Sequence, residues 1–220
     1  MKKLFIKLAK ILGFEIIDQN QFSSPTLNKE LNEDLSILNE KSIVLPLGDV
    51  KISRSVKSIL IVIRMNTEVE IWDQNKKRLF EQPKIDYSYR SINSLIRSIE
   101  FCQNKYPNIK IETIIIDDNS KDENLNRIKK LINNKNIEIV SLNHENYKTL
   151  IKDQKTKETF SNLASLMNSF EIAKDKGEDL IFFVEDDYLH FEPMLEEMVA
   201  SYERIASQLK KDIFMCPSDY

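Results

Sequence analysis

Glycine is nearly missing from this chain: 220 residues contain only Gly13, Gly48 and Gly177. Loops that cradle phosphate in P-loop and dinucleotide-binding folds need several glycines within a few residues, so the sequence counts against both classes. Cysteine is as scarce. Cys102 and Cys216 stand far apart and match neither a metal-ligand spacing nor a secreted disulfide framework. They point to a reducing, cytoplasmic compartment in which both are small buried hydrophobes. Neither sign of charge dominates, since 32 Lys and Arg face 35 Asp and Glu for a formal net charge of -3. With no basic run there is no electrostatic footprint for nucleic acid, which is not expected as a partner. At 41% hydrophobic and 30% charged, the chain has the composition of a soluble globular protein rather than a disordered or membrane-spanning one.

The N-terminus, "MKKLFIKLAKILGF", lacks the uninterrupted apolar core and small-residue cleavage site of a signal peptide. It reads as an amphipathic helix with Leu4, Leu8, Ile11 and Leu12 on one face and Lys3, Lys7 and Lys10 on another. That arrangement suits either peripheral contact with an anionic membrane through residues 1–14 or docking on the protein itself. Residues 14–55 are irregular and polar, punctuated by Pro25, Pro46 and Gly48. The expected division is therefore an N-terminal helix and extension over 1–55 and a folded domain over 56–220.

From residue 56 onward β-branched runs alternate with segments of helical period. Strands are expected at Ile59 to Ile63, Thr113 to Ile116, Ile137 to Val140, Leu180 to Val184 and Ile213 to Cys216. Helices are expected from Arg90 to Asn104, Lys121 to about Asn133, Asn162 to Lys176, and Pro193 to about Lys210. Gly177 ends the third of these, and Met167 and Phe170 belong to its core stripe. Strands that are apolar throughout must be covered on both faces, which requires an α/β fold with a mostly parallel central sheet and helices on both sides.

Ligands in such sheets lie beyond the carboxyl ends of the strands. Two of the strands end in acids there: "TIIIDDNS" delivers Asp117 and Asp118, and "LIFFVEDDY" delivers Glu185, Asp186 and Asp187. Adjacent carboxylates beside an apolar core need a cation or strong donors. Hard oxygen ligands suit Mg²⁺ or Mn²⁺. An extended chain would point Glu185 and Asp187 one way and Asp186 the other. Ionised Asp117 and Asp118 can accept from a base N–H or a ribose hydroxyl.

The series of strand, "IIIDDNSKD", helix, strand, "NLASLMNSFEIA" and "LIFFVEDDY" resembles the nucleotide-binding half of family 2-type glycosyltransferases, over roughly residues 56 to 205. The resemblance implies the GT-A fold, a three-layer α/β sandwich. It places Asp117, Asp118, Ser120 and Asp122 at a nucleoside-contacting Asp-Asp-x-Ser-x-Asp pattern. Glu185, Asp186 and Asp187 fall at the DXD motif, with Asp187 as ligand of Mg²⁺ or Mn²⁺, Glu185 its support and Asp186 near the ribose. Asn168 would face the donor, and Arg64 with Asn66 stands approximately where the first strand's turn meets the nucleotide. The activity implied is transfer of a sugar from a UDP- or GDP-linked donor to a glycan, such as a cell-envelope polysaccharide, or to a lipid-linked acceptor. Family members carry their catalytic base well beyond the metal motif, whereas 33 residues follow Asp187 here. No catalytic base is assigned, and the chain is expected to stop before the acceptor-binding portion.

Other readings run beside these. Ser120 with Glu123 makes a capping box. His190 reads as a partly buried loop residue and His144 carries no role. Tyr147, Lys148 and Lys152 fall in a polar stretch, 143–161, that is a flap over the donor or plain surface. The same strand ends also fit a catalytically silent nucleotide-sugar-binding module. A receiver-like signalling domain fits less well, because its last strand should end in a lysine.

Overall fold

The structure, a computed structural model, describes residues 8, 9, 11, 12, 50–68, 82–152 and 156–216. Most of the N-terminal helix and extension expected over 1–55 lies outside the described residues. Within the described part Leu8, Ile11 and Leu12 are exposed. The chain divides into two compact units, Val56–Val199 and a second made of Met1–Ser55 with Ala200–Tyr220. In the second unit Ser207 Oγ accepts from the backbone N–H of Ser53 and of Arg54, and Asp212 joins Arg54 to the Tyr202 hydroxyl.

The Val56–Val199 unit is built on β1 (Ser58–Met65), β2 (Lys110–Asp117), β3 (Ile137–Ser141) and β4 (Leu180–Glu185). They form one parallel sheet in the order β3-β2-β1-β4. The helices are α1 (Lys84–Lys105), α2 (Asp122–Leu131), α3 (Lys157–Lys176) and α4 (Met194–Leu209). Alternate residues of β1 serve opposite faces. Leu60 and Val62, with Ile114 and Ile116 of β2, pack with Ala164 and Met167 of α3 and with Tyr147. Ile59, Ile61 and Ile63 point to the other face and are also buried. Covering both faces of an apolar parallel sheet with helices gives the α/β, three-layer architecture expected from the strand composition.

Two departures stand against the expected elements. Residues 213–216 form no strand, and Cys216 is exposed while Cys102 is buried. β4 is apolar from Leu180 to Val184 but is covered on one face only in part. It lies at the sheet edge, and α3 packs over β1 and β2. Ile181 and Phe183 are therefore 40% and 43% exposed. Phe170, expected in the core, instead meets the Phe183 ring edge-on at 5.2 Å and is itself exposed.

Helix boundaries follow local chemistry. α1 starts at Lys84 behind Pro83, six residues earlier than its apolar stripe suggests. Its buried face carries Ser88, Ser91, Ser94 and Ser98, which read as surface in a sequence. Two of these hydroxyls accept from backbone N–H groups of the β4–α4 connection and of α4: Ser94 from His190 and Ser98 from Leu195, both at 3.0 Å. α3 starts at Lys157 because Thr156 caps it, accepting from the Thr159 N–H at 3.1 Å. Gly177 ends α3 with a negative φ, and a Cβ there would sit 2.4 Å from the Ala173 carbonyl oxygen. Its smallness, not a left-handed backbone, is what the position requires.

Candidate functional site

Sequential strands move outward from β1 to β3 and then return to the other side of β1, so the winding direction reverses there. In an open α/β sheet such a reversal leaves a crevice beyond the carboxyl strand ends. The register aligns Met65 with Asp117 and Arg64 with Glu185, which puts both acidic clusters on that edge.

After β2 the chain turns through Asn119 in the left-handed region (φ 57°), a conformation that asparagine tolerates better than most residues. This turn separates the two aspartates. Asp118, almost fully buried, is a hub. His144 Nε2 lies 2.7 Å from its Oδ1, while the Asn66 amide (3.2 Å) and the Ser161 hydroxyl donate to Oδ2. Its acceptors are thus engaged by the chain. Asp117 is as buried, yet its Oδ1 has no hydrogen-bond partner. Burial pushes its carboxyl above the usual aspartate range, against hydrogen bonds from the Ser120 hydroxyl and N–H.

That shift fixes a sign. In the folded chain Asp117 keeps its proton to higher pH than in the unfolded chain, so its contribution to stability falls as pH rises from the ordinary value of 3.8 through the folded one. The non-titrating Asp117→Asn variant should therefore gain stability relative to the wild type between acidic and neutral pH. Urea denaturation at pH 3.5 and pH 7 measures this, and a variant offset unchanged between the two would contradict it.

Ser120 makes no capping box. Lys121 occupies the N-cap of α2 without a side-chain cap bond. Besides meeting Asp117, Ser120 Oγ accepts from the Thr67 N–H at 3.2 Å, which ties the ends of β1 and β2 together. Asp122 lies in the exposed first turn of α2.

The second cluster is divided between the two faces of the sheet. Glu185 closes β4 and pairs with the Arg64 guanidinium, which also donates to Asn162 Oδ1 of α3 at 2.7 Å. Arg64 is thereby committed within the chain. Asp186 turns to the α1 side, where the Ser88 hydroxyl donates to Oδ2 and Lys84 Nζ lies 2.9 Å from Oδ1. The same ammonium lies 2.9 Å from Asp187 Oδ2. Asp187 thus pairs in space with Asp186 rather than with Glu185, because β4 ends at Glu185 and the alternation of an extended strand stops there. Asp186 is buried and the Lys84 side chain nearly so, whereas the Asp187 side chain is half exposed. Burial alone would lower the Lys84 pKa, but the two carboxylates outweigh it and hold the ammonium charged. Burial raises Asp186, with Lys84 and Ser88 opposing.

Lys84 is a resident cation standing where two hard oxygen donors converge. The donor chemistry fits Mg²⁺ or Mn²⁺, although two carboxylates and not three meet there, and the described residues contain no group of three or more acidic, His or Cys side chains arranged to hold a metal. Glu185, expected as support for the metal ligand, is held apart by Arg64.

Asn168 does not join the strand-end acids. Its amide donates to the Tyr147 hydroxyl at 2.9 Å, which donates to Glu171 at 2.5 Å. Tyr147 is buried at the end of a 3₁₀ turn (His144–Tyr147), so this part of the 143–161 stretch is a packed segment and not a flap. His190 has a buried Nε2 without a partner, and burial lowers its pKa. Sequence reading missed His144, Ser161, Lys84 and Ser88. His144 was detectable in principle, standing three residues past the carboxyl end of β3. A shallow concavity of about 440 Å³ lies at the opposite end of the sheet, lined by Glu112, Asn136, Glu138 and Lys176; Lys176 and Glu138 pair across it at 2.9 Å.

No family model matches the chain, and no curated protein does. Among solved structures it is similar to Staphylococcus aureus TarS, residues 1–349, alone and in complex with UDP-GlcNAc. Identity is 16% in both, with TM-scores of 0.35 and 0.36 over 65% of this chain. The chain spans about a third of those structures, 31% and 30% of their length.

Proposed function

We propose that this chain binds a nucleoside diphosphate sugar along the carboxyl edge of its sheet and acts as a glycosyltransferase toward a glycan or lipid-linked acceptor, with Mg²⁺ or Mn²⁺ on the donor diphosphate. The observation that carries the reading is Asp117 Oδ1, a buried acceptor without a partner on the edge where this architecture presents ligands. An unpaired buried acceptor is costly, and a ring N–H or ribose hydroxyl satisfies it. Asp118, held by His144, Asn66 and Ser161, fixes the turn that aims Asp117. Asp186 and Asp187 would hold the divalent ion. When bound, such an ion neutralises charge gathering on a departing diphosphate. Arg64 and Lys84 offset two of the three strand-end negative charges and leave the cluster net anionic, so a diphosphate entering without a cation meets repulsion. Exposed Leu8, Ile11 and Leu12 support peripheral contact with an anionic membrane on the cytoplasmic side.

Calorimetry with UDP, GDP and their sugar conjugates, with and without Mn²⁺, tests the proposal. Metal-strengthened binding of one nucleotide class is expected, and absence of binding to every one of them sinks it. Turnover of the bound donor then separates a transferase from a silent binding module.

A further inference from the structure

Lys84 is the first residue of α1, a position where lysines ordinarily extend into water. Here its side chain is 10% exposed, and its ammonium lies 2.9 Å from one oxygen of Asp186 and 2.9 Å from one oxygen of Asp187. The cation position that these carboxylates define is filled by the chain itself. A divalent ion and the Lys84 ammonium cannot share it, because like charges within contact distance repel strongly in a partly dry site. The described surroundings supply no other cation to these two acids, since Arg64 is taken by Glu185 and Asn162. Asp187 is half exposed, so an incoming ion has a wet ligand to meet first.

We propose that Lys84 is a displaceable internal counter-ion: a divalent cation binds at Asp186 and Asp187 only by expelling the Lys84 ammonium, and the expelled ammonium becomes available to an anionic ligand at the same edge. The inference rests on the metal site placed under the proposed function, but it concerns the metal alone and is tested without nucleotide. Two consequences follow. Metal affinity of the wild type is held down by the competing ammonium. Metal binding also exposes a lysine that is otherwise shielded, which gives a strand end that is closed when empty and electropositive toward phosphate when loaded.

The test titrates Mn²⁺ alone, followed by the paramagnetic resonance of the free ion, into the wild type, Lys84→Gln and Lys84→Arg. Lys84→Gln should bind Mn²⁺ on the order of tenfold more tightly than the wild type, the scale of an ordinary coupling between two ligands of one site. Lys84→Arg, which keeps the charge, should bind as weakly as the wild type, and adding Asp187→Asn should remove the gain. Because Lys84→Gln leaves Asp186 buried without its cation, Mn²⁺ should also raise the melting temperature of that variant more than that of the wild type. A readout on the unaltered chain guards against a variant that does not fold: acetylation of Lys84 by acetic anhydride, followed by peptide mass spectrometry, should accelerate when Mg²⁺ is added. Equal Mn²⁺ affinities in wild type and Lys84→Gln, or Lys84 acetylation indifferent to Mg²⁺, would overturn the proposal. Metal-strengthened nucleotide binding in either of those cases would leave the proposed function standing without displacement of Lys84.

Discussion

Asp186→Ala is expected to lower folding stability by about 3–5 kcal/mol, the usual consequence of removing one partner from a buried ion pair. The carboxylate accepts from Ser88 and pairs with Lys84, both on the first turns of α1. Without it the Lys84 ammonium stays in a largely dry position, with half-exposed Asp187 as its remaining carboxylate partner. The first turns of α1 would lose their anchor to the exit of β4. Asp187→Ala is expected to cost far less, within about 1 kcal/mol, because its pair with Lys84 is screened by water. Urea unfolding of both variants at neutral pH checks the contrast. Equal small losses would mean that the Lys84 to Asp186 pair contributes nothing to the fold.

The second large effect concerns ligand affinity. Asp117→Ala should weaken nucleotide binding roughly 10- to 100-fold, the equivalent of about 1.5–3 kcal/mol for a hydrogen bond to a charged group. Asp117 Oδ1 has no partner in the chain, and the carboxyl's other hydrogen bonds run to Ser120, so the substitution releases one residue. Asp118→Ala would instead release His144, Asn66 and Ser161 together and disorganise the turn. Calorimetry on folded Asp117→Ala is therefore the cleaner experiment. Unchanged nucleotide affinity in that variant would remove Asp117 from the site.

Four strands of the sheet were legible because they are short apolar runs bounded by polar turns, whereas the similar run at 213–216 forms no strand. β1 and β2 were read as buried on both faces and are so, while β4 was misjudged. An edge strand and a central strand can carry the same apolar run, and strand order is not written in either. The acids were legible as residues but not as partners. Lys84 and Ser88 stand about a hundred positions before Asp186 and sit in a stretch whose polarity looks like surface. Three adjacent carboxylates need a cation, and the fold answers part of that need with Arg64 and Lys84. His144 was passed over because a lone histidine in a polar segment has no periodicity to mark it. The parallel pairing of β3 beside β2 is what delivers it to Asp118.

The central claim is that the carboxyl edge of the sheet is a nucleotide site organised by Asp117 and by Asp186 with Asp187. A crystal structure of the protein soaked with Mn²⁺ and a UDP- or GDP-sugar tests it most directly. A base or ribose donor is expected on Asp117 Oδ1, the metal on Asp186 and Asp187, and Lys84 swung away from both. Density showing Lys84 still seated between the two aspartates, Asp117 without a partner and no nucleotide at the strand ends would contradict it.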